Sequence, residues 1–409
     1  MLFNSLEFIF LFLPMVYVVF QILHFKGKII SQIVWLTAAS LFFYAWWNPS
    51  YLLLILLSIG ANYAFSLLIV SQRAKNHHRL FLVLGLLFNL CLLGYFKYAN
   101  FFVDNINYLL TDDFHLQKII LPLAISFFTF QQIAYLVDTY KGLTEPHSFL
   151  EYCLFVTFFP QLIAGPIVHH KQMLPQFQTL HLKKEVILNL AIGCSIISIG
   201  LFKKVILADS FAQWASPAYS AAADGADINT LDALAGIFSY SFQLYFDFSG
   251  YSDMAIGLAF LFGVRLPVNF FSPYRAQNIA DFWRMWHATL ARFLRDYIYT
   301  PLGGFVCSPR RQKFNLFATM FLGGVWHGAG WTFVIYGSCH GLYVVLHQIW
   351  RIKISGPLGL INNRIYKYSC QAFTFVLISL TLVFFRAESL ESATYLFKSL
   401  MNFPAKASQ

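Results

Sequence analysis

Apolar residues run through this chain in long blocks, separated by short polar clusters. Blocks at 6–23, 30–47, 51–70 and 80–95 are each long enough, at about 17–25 residues, to cross a bilayer as a helix. Further blocks lie at 119–137, 231–246 and 372–385, and a long helix is predicted over 183–206. Residues 314–350 are apolar again, apart from a glycine-rich interruption and His340. The pattern predicts an all-α, polytopic membrane protein of about ten or eleven membrane elements in a single domain over 1–409. The strict alternation of outer-membrane strands is absent.

The polar clusters orient and interrupt these elements. Lys26 and Lys28 follow the first block, and a basic loop over 73–79 follows the third. Placing both inside puts the N-terminus outside. A loop from Phe102 to Lys118 carrying Asp104, Asp112 and Asp113 then falls outside. Ser126, Thr129, Gln131 and Gln132 sit within one span, as interhelix hydrogen bonds or as the lining of a polar passage. Residues 149–168 contain Phe158-Phe-Pro-Gln-Leu-Ile-Ala-Gly-Pro166, which breaks any helix and predicts a re-entrant segment. Residues 208–228 and 263–274 read as loops, and the stretch after 385 as a short polar tail. Asp247 and Asp253 flank Gly250, which predicts a helix interruption whose carboxylates pair with cations as structural polar groups.

Composition agrees with this picture. The chain is 58% hydrophobic and 11% charged, with mean hydropathy +0.61, where soluble chains carry about 25% charged residues. The net charge of +10 belongs to cytoplasmic loops, and no basic domain stands apart, which argues against nucleic acid as a partner. Six cysteines form no C-x-x-C pair, and His169-His-Lys171 lacks further ligands nearby, so no metal site is expected. The first residues have no basic leader or cleavage site and read as a retained span.

Chemistry concentrates between residues 281 and 341. Phe282, Trp286, Leu290, Phe293 and Tyr297 recur at helical spacing, with Arg284, Arg292 and Arg295 on the other side and His287 at the edge. Arg292 and Asp296 are i,i+4 partners. This predicts one amphipathic helix over 281–299 lying on the cytoplasmic leaflet. A basic loop at 310–313 follows, and then the interruption Gly323-Gly-Val-Trp-His-Gly-Ala-Gly330. His327 there can take and return a proton at physiological pH, though a core histidine bonded to a carbonyl fits the residues equally well. His340 and His347 read as lone polar residues on an apolar helix. There is no nucleophile elbow, phosphate loop or H-E-x-x-H, so serine chemistry and ATP-driven transport lack support. The residues alone reach a membrane protein with a buried polar site, either enzyme or transporter.

Phe246-Asp-Phe-Ser-Gly-Tyr-Ser-Asp253, Phe282-Trp-Arg-Met-Trp-His287, Leu294-Arg-Asp-Tyr297 and Gly323-Gly-Val-Trp-His-Gly328 together resemble the membrane-bound O-acyltransferase (MBOAT) family. Phe42-Phe-Tyr-Ala-Trp-Trp47, Gly94-Tyr-Phe-Lys-Tyr-Ala-Asn100 and Ile163-Ala-Gly-Pro166 narrow the likeness to the bacterial branch of alginate O-acetylation membrane proteins. The resemblance implies helices ringing a thinned centre in the bacterial inner membrane. It implies acyl transfer from a cytoplasmic thioester, such as acetyl-CoA, to hydroxyls of an envelope or exported polysaccharide. It makes His327 the expected catalytic residue and His287 the second. Arg284, Arg292, Arg295, Trp326 and Asp296 become the substrate- and donor-binding residues, with no bound cofactor or metal. A periplasmic acetyltransferase-like protein is the implied partner. Met285, Ala288 and Gly330 depart from residues common in the branch, whose members usually continue for several tens of residues. Two alternatives stand beside it: D-alanyl transfer to teichoic acid from a carrier protein, and a transporter or flippase without acyl chemistry.

Overall fold

A computed structural model describes residues 1–73, 77–110, 116, 119–144, 147–180, 185–360 and 363–401. Asp112, Asp113, Lys183 and Lys184 lie outside the described residues, as does the middle of the basic loop over 73–79. The described residues form helices and no strand. Among the described residues, five helices are long and apolar enough to cross a membrane: Phe8–Phe25, Ser50–Ser71, His78–Leu110, Val186–Asp224 and Arg364–Arg386. Ile29–Ala45 is a shorter apolar helix. Leu53, Leu57, Leu87 and Phe373 point outward, as on a surface that meets lipid rather than water.

The chain divides into two compact units, residues 1–201 with 251–267, and residues 202–250 with 268–409. The first unit is cored by aromatic rings. Phe8, Phe12, Phe43 and Phe159 meet tilted or edge to face with centroids 5.4–6.2 Å apart, within the range aromatic pairs favour. Its buried polar groups tie helices together. Gln132 donates to Ser58 Oγ at 2.9 Å, and Asn89 donates to Asn62 at 2.6 Å. The Gln132 amide is thus an interhelix hydrogen bond, one of the two roles its span allowed. The 149–168 segment is broken where the prolines predict: Phe149–Thr157 ends at Phe158, and the single turn Phe159–Leu162 follows.

Several expectations give way to longer helices. The first part of the loop expected between Phe102 and Lys118 is helical as far as Leu110, because a π-helical turn at Gly94–Tyr98 joins His78–Leu93 to Ala99–Leu110. Residues 208–228 are largely the helix Asp209–Asp224. Alanine is the strongest helix former, and six alanines there outweigh the polar residues that suggested a loop. Gly250 interrupts nothing, since one helix runs over Thr230–Leu261. A glycine costs a helix only about 1 kcal/mol, too little to break one of this length. The basic run at 310–313 is the first turn of Pro309–His327, started by Ser308 and Pro309 in the N-cap and N1 positions. The tail contains a capped helix, Leu390–Ser399.

The second unit holds the candidate site. Its centre is the antiparallel pair Pro309–His327 and Trp331–Trp350. Gly324 faces Gly337, and Gly341 faces the Phe317 backbone, so the two helices approach backbone to backbone. Ile279, Phe282, Trp286, Tyr336, Ile378 and Leu382 are among the buried residues of this unit's core.

Candidate active site

The helix expected over 281–299 is not one helix. Ile279–Met285 ends at Trp286, His287 turns into the left-handed region at φ 42°, and Ala288–Leu294 begins anew. A π-helical turn, Arg295–Tyr299, follows. Two seven-residue helices cannot cross a bilayer. The apolar stripe is nevertheless real, with Phe282, Trp286, Leu290 and Phe293 all buried. The break turns His287 inward, where it is 1% exposed. A left-handed non-glycine residue costs about 1–3 kcal/mol, and such strain clusters at functional sites.

Asn269 holds this kink in place. Its backbone carbonyl accepts from Ala288 N–H at 3.0 Å. Its side-chain Oδ1 accepts from Thr289 N–H at 3.3 Å and from Thr289 Oγ1 at 2.9 Å. It therefore does for the new helix what an N-cap side chain usually does, and the ring of His287 is spared that task. His287 Nδ1 lies 3.1 Å from the same Oδ1. Phe248 meets the imidazole edge to face at 4.8 Å. Burial, with neighbouring His327 second, holds the His287 imidazole below its ordinary value, so the ring is neutral at physiological pH.

His327 is the last residue of Pro309–His327, half-buried, and followed by the extended Gly328. Its ring lies between those of Trp326 (5.0 Å), Phe385 (5.2 Å) and Tyr336 (5.9 Å). Gly328 is needed here because a Cβ would overlap the Phe333 ring, which itself packs on Phe385 at 5.4 Å. The glycine break is thus three residues, Gly328 to Gly330, and not the eight expected. Gly323 and Gly324 stay helical because they make room for packing: a Cβ on Gly323 would lie 2.9 Å from Leu294.

His340 belongs to the same cluster, which its lone position in the sequence did not suggest. It is 1% exposed, and Tyr336 one turn earlier packs on it at 4.5 Å. Trp283 Nε1 donates to its Nδ1 at 3.2 Å. His327 is the electrostatic neighbour of both His287 and His340. Two buried nitrogens here, Asn269 Nδ2 and His340 Nε2, have no hydrogen-bond partner among the described residues. Each costs about 1–3 kcal/mol while unsatisfied.

The remaining site residues lie further out. Arg284 is exposed and paired with Asp281 at 2.8 Å. Asp296 pairs with its neighbour Arg295 at 2.7 Å, where helical spacing suggested Arg292. The change from α- to π-helix at Arg295 shifts the i,i+4 register. Arg292 is half-buried in the last turn before that change, and Trp326 is buried beside His327. Asp247 is paired with Lys204 at 2.5 Å. Asp253 falls in the first unit. Asn269 and Trp283 were missed as partners, because they lie 18 and 57 residues from the histidines they bond, and no local period connects them.

The membrane-bound O-acyltransferase family matches residues 74–386. The chain is 45% identical to the peptidoglycan O-acetyltransferase of Helicobacter pylori, over 98% of this chain and 80% of that protein. It is 39% identical to the probable alginate O-acetylase of Pseudomonas aeruginosa, over 98% of this chain and 75% of that one. The teichoic acid D-alanyltransferase of Streptococcus thermophilus is 29% identical over 58% of this chain and 59% of its own length. The match spans the His287 kink, the glycine-hinged His327 segment and their supporting helices, and the chain belongs to the membrane-bound O-acyltransferase family and is an O-acyltransferase.

Proposed function

We propose that this enzyme moves an acetyl group from a cytoplasmic thioester, acetyl-CoA in the simplest case, to hydroxyls of a cell-envelope or exported polysaccharide. The observation that carries the reading is the clustering of His327 and the buried His340 on the Tyr336 ring at a glycine hinge. The relatives that match along the chain's whole length are named for O-acetylation of peptidoglycan and alginate, which favours a polysaccharide over teichoic acid.

In this reading His327 is the general base. It takes the proton of the attacking hydroxyl as the new C–O bond forms at the thioester carbonyl. The C–S bond then breaks, and the proton passes to the departing thiolate. His287 is the second catalytic residue, and buried N–H donors hold the carbonyl oxygen as it gains charge. Arg284, Arg292 and Arg295 attract the phosphates of the donor, with Trp326 and Asp296 shaping its seat. The protein lies in the bacterial cytoplasmic membrane. Lys26, Lys28, Arg73 and Arg79 face inside and the N-terminus outside. The attacking hydroxyl belongs either to the polysaccharide itself or to a periplasmic acetyltransferase-like partner that carries the group onward.

The test uses purified protein in proteoliposomes, with labelled acetyl-CoA on the side equivalent to cytoplasm and a polysaccharide acceptor opposite. Alkali-labile label is counted for wild type and His327→Ala. Transfer lost in the variant supports base chemistry at His327. Transfer that survives the substitution removes His327 from the mechanism.

A further inference from the structure

The partners of His287 and His340 decide which nitrogen of each ring carries the proton. A backbone N–H only donates, so the Asn269 atom facing Thr289 N–H is the carbonyl oxygen. His287 Nδ1 faces that same oxygen at 3.1 Å. An amide oxygen cannot donate, so Nδ1 bears the hydrogen and the neutral ring keeps its lone pair on Nε2. His340 is set the other way. The Trp283 indole has a donor and no acceptor, and it points at His340 Nδ1 from 3.2 Å. The lone pair is therefore on Nδ1 and the hydrogen on Nε2. That Nε2–H is buried without a partner among the described residues. A histidine kept only for packing would ordinarily satisfy both nitrogens.

We propose that the histidines flanking His327 are locked in opposite tautomers, and that His340 is the donor to the acyl carbonyl oxygen while His287 presents a lone pair. The assignment of His340 rests on the acyl-transfer reading above; the two tautomers do not. His340 moves no proton. It keeps its own and hydrogen-bonds the oxygen as the hydroxyl adds, while the hydroxyl's proton goes to His327 and then to the leaving thiolate. Tyr336, in ring contact with both His327 at 5.9 Å and His340 at 4.5 Å, keeps the donor within the same cluster as the base.

The experiment has two arms. In the first, histidine-labelled wild-type protein in bilayers is studied by ¹⁵N solid-state NMR at neutral pH, with His287 and His340 assigned by substitution. The expected spectrum shows His287 protonated on Nδ1 and His340 on Nε2. Either ring in the other form overturns the proposal. In the second arm, acetyl transfer is compared for His340→Gln, whose amide N–H replaces Nε2–H, and His340→Leu, which has no donor. Loss of one oxyanion donor typically lowers kcat by about 10²–10³-fold. The Leu variant should show that loss with little change in KM for the thioester, and Gln should recover at least tenfold of it. Equal losses overturn the donor role. Where Leu does not fold, His340→Asn replaces it, since its amide sits at the Nδ1 position. Wild type with the expected spectrum but no acyl transfer overturns the acyl-transfer reading and the donor role with it, and leaves the tautomers standing.

Discussion

Gly324 and Gly337 meet without an intervening side chain, so a methyl added to Gly324 would overlap the Gly337 backbone. Each helix thus occupies the space the other's side chains would need. Their closeness places His327, at the end of one, beside Tyr336 on the other.

Gly324→Ala should therefore damage the fold rather than the chemistry. The neighbour is backbone and cannot rotate away, and overpacking of this kind costs about 1–3 kcal/mol or more. Thermal unfolding in detergent should begin several degrees lower, with activity lost in proportion to folded protein. An unchanged midpoint would show that the two helices can part at no cost.

Gly328→Ala should do the opposite. Its new methyl meets a side chain, the Phe333 ring, which can move. Phe333 shares Phe385 with His327, so its displacement carries to the His327 ring. A misplacement of about 1 Å can cost about 10²-fold in rate. Acetyl transfer should fall by about that factor while the unfolding midpoint drops little. Full activity in this variant would mean the imidazole does not depend on the hinge.

The arginines should separate by their surroundings. Arg284 and Arg295 are each engaged by a carboxylate and largely exposed, where ion pairs contribute little. Arg292 is half-buried. Replacing each by Gln should raise KM for the thioester most for Arg292, by about tenfold, and by less than about threefold for the others. Equal effects at all three would point to a diffuse field rather than a seat.

Much of this site is legible in the sequence, and the missing part has a physical cause. The stripe Phe282–Trp286–Leu290–Phe293 and the glycines beside His327 are local patterns, and all of them serve the site. The kink at His287 is not local: it exists because Asn269 supplies the cap from another segment. The same holds for His340, whose Nδ1 accepts from Trp283 of another helix. Helix ends were misjudged where alanine and glycine compete with polarity, as over Asp209–Asp224 and at Gly250. A bilayer chain satisfies its backbone within helices, so helices continue through polar residues that would end them in water.

Asn269→Asp gives the sharpest test of a neutral His287. The carboxylate would keep both bonds from Thr289, since each is donated to an oxygen. It would also place a negative charge about 3 Å from Nδ1, in the position Oδ1 now holds. An adjacent anion favours the imidazolium and opposes the burial that now keeps the ring neutral. The pKa of His287 rises, so the cation persists to higher pH. If transfer needs the Nε2 lone pair, the acid limb of kcat/KM moves upward by one pH unit or more, and the alkaline plateau is retained. Asn269→Ala removes the cap without adding charge, and should lower the plateau without moving the limb. An acid limb that stays in place in the Asp variant would show that the ionisation of His287 does not govern the reaction.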